Sequence, residues 1–357
     1  MRTDETFFIT GFPGFIANRL LLRLARAGGK FILLVQPAFF PRAHQDIAEI
    51  ANNSGRAADD FTLIEGDISL PGIGLSESSR ELARAETTRS FHLAALYDLA
   101  VAQEPALRIN VDGTRNVNQF ARTLPRLRHH HHVSTCYVAG KREGRILENQ
   151  LKHDAGFRNF YEESKYLSEL EAEALKSDLP VTIHRPSVVC GDSQTGETAK
   201  YDGVYYLIFY LLRWPSVLSS VNIGNHEVSL NLVPVDFVVD AMSALACDDL
   251  AIGKTVQLAD PNPLSTNQLF NAITRSINGK SSRLTAPRSW VNFLLMLPPS
   301  PKITGLPHSA VPYFFLKQTY DTTNAHKLLE PHGIRCPPFE TYVDKIVGFA
   351  ESHPRLT

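Results

Sequence analysis

The sequence has few cysteines, no excess of charge of one sign and no long apolar run. Among its 357 residues are four cysteines, Cys136, Cys190, Cys247 and Cys336, and no two of them share a short spacing. A disulfide framework or a metal centre is therefore not expected, and a reducing cytoplasm is the predicted location. The formal net charge is −1, so the chain offers no basic field that would attract nucleic acid.

No apolar run reaches the length of about 18 residues that a membrane-spanning helix needs. The first ten residues, MRTDETFFIT, place acidic residues where a secretory leader requires a basic start. We therefore expect neither a leader nor a transmembrane span. Trp290, Phe293, Leu294 and Leu297 leave peripheral contact with a membrane open, or a cap over a lipid-like substrate. Ordinary core packing accounts for the same four residues equally well.

The first half of the chain alternates short apolar runs with amphipathic helices. Apolar residues make up 43% of the sequence and charged residues 20%, a balance that supports a sizeable core. The alternation predicts an α/β fold with a doubly wound parallel sheet of six or seven strands, the Rossmann arrangement. Strands are predicted at residues 7–10, 31–35, 61–64, 90–93, 132–134 and 181–184, and helices at 18–27, 110–124 and 161–176.

Beyond about residue 190 this rhythm gives way to proline-rich pieces and aromatic clusters. We expect residues 1–190 to form a dinucleotide-binding Rossmann domain that carries the catalytic residues. Residues 191–357 are expected to form a smaller, mixed substrate-binding subdomain, partly interleaved with the sheet. Helical spacing of Tyr205, Tyr206, Phe209 and Tyr210 predicts core packing there, with a substrate wall as the alternative.

A glycine-rich turn, Thr10-Gly-Phe-Pro-Gly-Phe-Ile-Ala17, joins the first predicted strand to the first helix. Glycines permit a tight turn and let a pyrophosphate approach the backbone at the amino terminus of the helix. Ala17 takes the place of a third glycine and still permits close helix packing. A plain turn is the simpler alternative. The predicted cofactor contacts in this segment are Gly11, Pro13, Gly14, Phe15 and Ile16.

The sequence Tyr161-Glu-Glu-Ser-Lys165 lies in a predicted helix, where residues four apart share a face. The Lys165 ammonium can therefore lie beside the Tyr161 phenol, whose unperturbed pKa is about 10. A neighbouring cation favours the phenolate, so we expect the pKa of Tyr161 to be lowered toward the working pH. Such a spacing is common by chance, and its weight depends on the residues that accompany it.

Several of those residues lie at the carboxyl ends of predicted strands, where ligands bind in open α/β sheets. Asp67 is placed to meet an adenine amino group, and small residues after His92 allow close approach of a cofactor. Thr135 ends the fifth strand. Asp98 is placed either to reach a substrate or to cap a helix. Further cofactor contacts are predicted at Asp67, Ile68, Ala94, Ala95, Pro186 and Val188, as well as at Tyr161 and Lys165.

On these motifs the sequence resembles the extended short-chain dehydrogenases/reductases, in the fatty acyl-CoA reductase and thioester reductase branch of the male-sterility type. The resemblance extends from about residue 7 to 245 and is loose beyond 250. Its most specific segments are Gly66-Asp-Ile-Ser-Leu-Pro-Gly-Ile-Gly-Leu-Ser76, Val133-Ser-Thr-Cys-Tyr-Val-Ala-Gly140, Asn159-Phe-Tyr-Glu-Glu-Ser-Lys165, Arg185-Pro-Ser-Val-Val-Cys-Gly-Asp-Ser193 and Asn231-Leu-Val-Pro-Val-Asp236.

The resemblance implies a role for each matching residue. Thr135 would hold the substrate carbonyl, Tyr161 would donate the proton, Lys165 would bind the ribose and tune the phenol, and Asn110 would lie near the cofactor. The implied activity is reduction of a carbonyl on a hydrophobic small-molecule or acyl substrate. The carbonyl type, whether acyl thioester, aldehyde or ketone, stays open, and so does the choice between a monomer and a homodimer.

The end of the second predicted strand departs from both cofactor patterns. Val35 stands where an acidic residue would hold the ribose hydroxyls of NAD, and Gln36 stands where the reductase branch usually has arginine. Loss of the acid removes repulsion against a 2′-phosphate. Arg42 or Arg19 is available to supply the missing charge. The sequence thus favours NADP(H), with Gln36 and Arg42 as contacts, and leaves NAD(H) open.

Two other functions compete with carbonyl reduction. A sugar-nucleotide epimerase or dehydratase would need a polar diphosphate-binding set in the second half, which is instead aromatic and aliphatic. A non-catalytic cofactor sensor would not need to keep Tyr161 and Lys165. The run of histidines at positions 129–132 is predicted to be an exposed polar loop entering a strand, because alternate strand residues cannot converge on one ion.

Overall fold

A seven-stranded parallel sheet forms the centre of the molecule. The computed structural model describes residues 5–213, 215, 220–282, 284–286, 308–309 and 311–354. Its strands are β1 (Thr6–Thr10), β2 (Lys30–Val35), β3 (Phe61–Glu65), β4 (Arg89–His92), β5 (His129–Val133), β6 (Gly144–Ile146), β7 (Val181–Pro186), β8 (Val188–Cys190), β9 (Val221–Asn222), β10 (Leu232–Pro234), β11 (Thr255–Leu258), β12 (Leu284–Thr285) and β13 (Gln318–Tyr320).

The central sheet has the strand order β3-β2-β1-β4-β5-β7-β11. Every adjacent pair is parallel, so the carboxyl ends of all seven strands lie along one edge. The order reverses direction between β1 and β4, which is where open α/β sheets form a crevice for ligands. The predicted doubly wound parallel sheet is confirmed.

Helices cover both faces of the sheet and the segments beyond it. They are α1 (Phe15–Ala27), α2 (Phe40–Ser54), α3 (Glu77–Glu86), α4 (Gln103–Ala106), α5 (Gly113–Ala121), α6 (Phe160–Leu175), α7 (Val204–Arg213), α8 (Val235–Leu245), α9 (Thr266–Asn278), α10 (Thr323–Leu329) and α11 (Val343–Ser352). A π-helical segment, Leu107–Asp112, joins α4 to α5. No helix among the described residues is long and apolar enough to cross a membrane, and residues 290–297 lie outside the described part.

Aromatic side chains pack the strands at the sheet centre. Phe7 on β1 stacks on Phe31 of β2 with ring centroids 5.6 Å apart, and Phe31 stacks on Phe61 of β3 at 5.3 Å. All three are buried, together with the face of α1 formed by Leu20, Leu21 and Leu24. Strands covered on both faces need continuous apolar runs, and β1 and β2 have them.

Strand β5 contradicts the predicted exposed loop, because His129, His130, His131 and His132 are all strand residues and are fully buried. Strands β4 and β7 pair with its two edges, and other segments cover its faces: the Ala246 carbonyl after α8 lies 3.3 Å from His131 Nε2 on one face, and Thr114 of α5 contacts the neighbouring His92 on the other. The polar composition suggested exposure, yet a strand in this central position has no solvent face. Among the described residues no cluster of side chains suits a metal ion.

The β5 histidines divide between the two faces of the sheet. On one face His131 Nδ1 lies 3.0 Å from His184 Nε2, and Phe91 stacks on the His131 ring at 4.2 Å. His129 Nε2 pairs with the Thr182 hydroxyl at 2.7 Å on the same face. Burial keeps these rings neutral, because it lowers the pKa of His129 and of His184 to about 3.

On the opposite face His130 Nδ1 lies 2.7 Å from the Ser90 hydroxyl, and His132 packs beside His92 with ring centroids 5.4 Å apart. Burial lowers the pKa of His130 to about 4 and holds that of His132 well below its usual value. Within the described part of the chain, neither ring nitrogen of His132 has a hydrogen-bond partner. The strand therefore keeps its imidazoles as neutral packing groups.

Segments after residue 190 form a second hydrophobic core, and one of their strands joins the central sheet. The second core packs α7, α9 and α11 through Tyr205, Phe270 and Ile346. Tyr206, Phe209 and Tyr210 pack beside these cores as half-buried residues, which confirms core packing for the aromatic helix. Strand β11 pairs with β7, and α8 packs against α1.

Candidate active site

A cleft of about 730 Å³ runs along the carboxyl edge of the sheet, from the turn after β1 to the amino-terminal part of α6. Cavities of this size suit a cofactor or a small substrate. All but one of the residues that the sequence predicted as cofactor contacts or catalytic groups line it. They are Gly11, Pro13, Gly14, Phe15, Ile16, Gln36, Arg42, Asp67, Ile68, Ala94, Ala95, Thr135, Tyr161, Lys165, Pro186 and Val188.

The turn after β1 has a shape that only glycine permits. Gly11 has φ +89°, and a Cβ there would lie 2.7 Å from the backbone nitrogen of Ala94. Gly14 donates its N–H to the Gly11 carbonyl at 2.8 Å, and a Cβ on Gly14 would approach that oxygen to 2.6 Å. The turn therefore packs against the segment after β4 and leads directly into the amino terminus of α1.

The far end of the cleft carries the residues that the sequence placed near a nucleotide ribose. Gln36 Nε2 donates to Asp67 Oδ2 at 2.9 Å, and Asp67 Oδ1 accepts from the Ser69 N–H at 2.8 Å. Arg42 lines the cleft and lies 3.7 Å from Asp46. The side chain of Arg42 is 62% exposed, so it is free to turn toward a ligand.

Arg19, the other candidate for a phosphate contact, is engaged elsewhere. Its guanidinium pairs with Asp192 at 3.1 Å and with Glu197 at 2.9 Å, and it lies over the Phe15 ring. Two carboxylates already satisfy this cation. Of the two arginines that the sequence offered, Arg42 is the one that lines the cleft.

Helix α6 brings Tyr161 and Lys165 to the cleft on one face. Asn159 caps the helix by accepting from the Glu162 N–H at 3.0 Å. Farther along, Glu169 receives two hydrogen bonds from the Arg185 guanidinium, at 2.6 and 2.8 Å. Because both Glu169 and Arg185 are fully buried, this ion pair fixes α6 against β7 and thereby sets the position of Tyr161.

The Thr135 side chain lies beside the Tyr161 phenol and acts to lower its pKa. Thr135 also accepts from the Tyr137 N–H at 3.2 Å, which orients its hydroxyl at the end of β5. Burial raises the pKa of Tyr161, and Thr135 offsets part of that rise. The expected lowering of this pKa by Lys165 is wrong, because the net shift is upward and Lys165 is not among the groups that lower it.

Lys165 lies below the tyrosine and is 4% exposed. Its ammonium donates to the Val133 carbonyl at 2.9 Å, which anchors it at the carboxyl end of β5. Burial lowers the pKa of Lys165 to about 8, with Glu169 acting in the opposite direction. A cation with this pKa gains and loses protons close to neutrality.

Asn110 lies behind the cleft, in the π-helical segment. Its Oδ1 accepts from the Leu96 N–H at 2.7 Å, and its Nδ2 donates to the Leu96 carbonyl at 3.2 Å and to Ser164 Oγ at 2.9 Å. The side chain thus ties the segment after β4 to α6. We assign Asn110 a positioning role from these contacts.

The substrate end of the cleft contains residues that the sequence did not single out. Tyr97 meets the Tyr161 ring edge-on at 5.1 Å, and Lys200 lies over the Tyr97 ring at 4.4 Å. Burial and the nearby Asp202 carboxylate raise the pKa of Tyr97. Tyr137 also lines this end. Tyr97 follows β4 and was within reach of the strand-end rule, whereas Lys200 and Asp202 come from a loop before α7 that carries no comparable signal.

Asp98 does not cap a helix, and it is not among the residues that line the cleft. Its Oδ1 accepts from the Ala100 N–H at 2.8 Å within an exposed turn. The following helix begins at Gln103, with Ala102 in the cap position. Asp98 therefore stabilises the turn that follows Tyr97.

The fold and its relatives define the class of protein. An open parallel sheet with a glycine turn after its first strand and a cleft at its carboxyl edge is the Rossmann arrangement of dinucleotide-binding proteins. The chain belongs to the NAD-binding family described as male sterility protein, whose model matches residues 9–242.

The chain is 26% identical over 281 residues to fatty acyl-CoA reductase wat of Drosophila melanogaster, a match that covers 69% of this chain and 54% of the fly protein. The chain thus spans about half of that relative. The terminal R domain of the myxalamid PKS-NRPS biosynthetic pathway superposes with a TM-score of 0.81 at 24% identity, covering 99% of this chain and 92% of that one.

Epimerases share the fold at greater distance. UDP-glucuronic acid 4-epimerase from Bacillus cereus, solved with NAD, gives a TM-score of 0.67 at 17% identity, covering 98% of this chain and 100% of that one. At such identities the structural likenesses concern the fold alone. The family match is what separates the reductase branch from the epimerases.

Proposed function

We propose that the protein reduces the carbonyl group of a hydrophobic substrate with a nicotinamide cofactor. The observation that carries this proposal is the pairing of the Thr135 and Tyr161 side chains, with Lys165 on the same helix face, in a cleft that starts at the glycine turn. A phenol and a hydroxyl that lie side by side in one cleft suit a carbonyl oxygen. The family match and the fly fatty acyl-CoA reductase support the same reaction class.

The residues present fit the cofactor. Neither Gly11 nor Gly14 has room for a Cβ, so the backbone of the turn lines the cleft beside the amino terminus of α1, where a pyrophosphate would bind. Gly11, Pro13, Gly14, Phe15 and Ile16 would hold the pyrophosphate side. When bound, a reduced nicotinamide supplies the hydride.

The chain's own contribution is orientation and proton delivery. Thr135 and Tyr161 would hydrogen-bond the carbonyl oxygen, and the Tyr161 hydroxyl proton would pass to that oxygen as negative charge develops on it. Burial raises the pKa of Tyr161, which keeps the phenol protonated and favours the reductive direction. Lys165 would stabilise the resulting phenolate and hold the ribose.

The substrate end of the cleft supports an acyl substrate. Tyr97 and Tyr137 give it apolar walls, and its cation, Lys200, is within 3.7 Å of Asp202. We infer an acyl thioester or an aldehyde as the reducible group, in keeping with the fly reductase. We also propose that residues 1–190 hold the cofactor and that residues 191–357 supply much of the substrate wall.

For the cofactor we propose NADP(H). Val35 is buried and offers no carboxylate against a 2′-phosphate, and Arg42 lines that end of the cleft with an exposed side chain. A guanidinium is the best protein partner of a phosphate. Gln36 is placed to add a neutral hydrogen bond.

The test is anaerobic turnover of acyl thioesters, aldehydes and ketones, each with NADPH and with NADH. We expect oxidation of NADPH with a thioester or an aldehyde of apolar chain. Activity confined to nucleotide sugars, or turnover unaffected by Tyr161→Phe, would contradict the proposal.

A further inference from the structure

Tyr313 lies in a short helical turn, Val311–Phe315, and is 151 residues from Glu162 in the first turn of the catalytic helix. It is 4% exposed. Its phenol donates to Glu162 Oε1 at 2.6 Å and accepts from Asn159 Nδ2 at 2.8 Å. Both partners belong to the start of α6, the turn of helix that carries Tyr161.

Glu162 is a fully buried carboxylate in that first turn. Arg158 Nη1 lies 3.1 Å from its Oε1, and the Arg158 guanidinium lies over the Tyr313 ring at 5.9 Å. A buried carboxylate is stable only when its oxygens are bonded. The Tyr313 hydroxyl is therefore part of what holds the first turn of α6 in place.

The Tyr313 ring is also linked to Thr135, the second residue of the Thr135–Tyr161 pair. Tyr313 packs on Tyr137 with ring centroids 4.6 Å apart. Tyr137 donates its N–H to Thr135 Oγ1 at 3.2 Å and lines the cleft. Tyr313 thus contacts the residue next to Tyr161 on one side and the residue that orients Thr135 on the other.

The turn that carries Tyr313 is tied to the substrate side of the molecule. Val311, two residues earlier, is buried against Leu99 and Tyr206. Leu99 follows Tyr97 in the chain, and Tyr206 belongs to α7. A single short segment therefore touches the catalytic helix, the Thr135 turn and the elements next to the substrate end.

We propose that Tyr313 is a positioning residue, which fixes the Thr135–Tyr161 pair through Tyr137, Asn159 and Glu162 and so couples the carboxyl-terminal segment to proton transfer. This inference rests on the proposed reductase function. A displacement of about 1 Å at a reacting group can cost a hundredfold in rate. The coupling also makes the reaction depend on residues beyond the matched family region.

Tyr313→Phe removes one hydroxyl and keeps the ring. We expect kcat to fall roughly ten- to a hundredfold, the value of one hydrogen bond to a buried charge, while the dissociation constant of the cofactor stays unchanged. Tyr342→Phe is the matched control, because that buried phenol lies at the other core, near Cys190. It should leave kcat near the wild-type value.

Two further measurements separate positioning from a general loss of structure. Amide hydrogen exchange over residues 158–166 should quicken in Tyr313→Phe and not in Tyr342→Phe. In a double-mutant cycle, Tyr313→Phe should add little to Glu162→Gln, because each removes the charge-assisted hydrogen bond that the Tyr313 phenol donates to the Glu162 carboxylate. Asn159→Ser, which keeps the cap and loses the donor to Tyr313, gives a milder variant if Tyr313→Phe folds poorly.

An unchanged kcat in Tyr313→Phe or Asn159→Ser, a fall in cofactor affinity instead, or full additivity with Glu162→Gln would overturn the inference. Inactivity of the wild type on the whole panel would count against the proposed function. In that case hydrogen exchange would still test whether Tyr313 holds α6 in place. Equal exchange rates over residues 158–166 in Tyr313→Phe and Tyr342→Phe would reject that role.

Discussion

The two ends of the cleft differ in how their residues are drawn from the chain. At the cofactor end, Gly11, Asp67 and Ala94 each lie within two residues of the end of a sheet strand. At the substrate end, Tyr97 and Tyr137 meet Lys200 and Asp202, which arrive from a distant loop. The cofactor end is thus a consequence of strand order alone, whereas the substrate end depends on how the later segments pack.

This difference predicts separable effects. Substitutions at the cofactor end should change binding of the nucleotide, and substitutions at the substrate end should change proton transfer with the nucleotide still bound. Four substitutions test that separation.

Tyr161→Phe should have the largest effect. Removing the proton donor is expected to lower kcat by about a hundredfold or more, with cofactor affinity nearly intact. Tyr166→Phe is the control on the same helix, since that ring packs on His153 and Phe157. Steady-state rates with equilibrium cofactor titration provide the check, and a near-wild-type rate would identify a different proton donor.

Gly14→Val should break the cofactor end. The added Cβ meets the Gly11 carbonyl at 2.6 Å, so the turn must open and fill the pyrophosphate space. We expect cofactor affinity to fall about a hundredfold, or about 2.7 kcal/mol. Gly348→Val is the control, because nothing lies within 4 Å of a Cβ there. Normal affinity in a folded Gly14→Val protein would reject this placement of the pyrophosphate.

Arg42→Ala tests which of the two nucleotides the cofactor end prefers. Loss of one charge-assisted contact is expected to raise the KM for NADPH roughly ten- to a hundredfold and to leave that for NADH nearly unchanged. The exposed Arg26 offers a control for loss of a surface charge. Titration of both cofactors is the measurement. A wild-type protein that prefers NADH would contradict the proposed role of Arg42.

Asp202→Asn should have the smallest effect, at the substrate end. The Asp202 carboxylate helps to raise the pKa of Tyr161. Its removal should lower that pKa, so the phenol loses its proton at lower pH. The pH at which the Tyr161 phenol ionises should therefore be lower by a fraction of a unit, as measured from the phenolate absorbance relative to Tyr161→Phe, with Asp98→Asn as the exposed control. A shift toward higher pH would contradict this electrostatic account.

The same contrast explains what the sequence could predict. Apolar runs such as residues 7–10 and 31–35 indicated buried parallel strands, and the strand-end rule led to the residues of the cofactor end. The predicted exposure of the β5 histidines was wrong because their burial follows from segments packed on the faces of the sheet, such as the one after α8 that contacts His131. The raised pKa of Tyr161 and the contact of Tyr313 with Glu162 depend on tertiary packing, which local sequence does not encode.

The histidine strand makes folding of this protein a proton-linked equilibrium. An unfolded histidine titrates near pH 6.5, whereas burial lowers the pKa of His129 and His184 to about 3 and that of His130 to about 4. Between these values the unfolded chain holds more protons, so stability falls as pH drops below about 6.5, by about 1.4 kcal/mol per pH unit for each histidine.

Glu148, whose pKa burial raises to about 7, acts in the opposite sense and offsets about one of these histidines. Thermal unfolding at pH 5 should therefore take up protons from the buffer, and its calorimetric enthalpy should change with the ionisation enthalpy of the buffer used. A Tm that stays flat from pH 7 to 5 would contradict this. The histidines buried on and around β5 thereby set the lowest pH at which the protein stays folded, independently of the chemistry in the cleft.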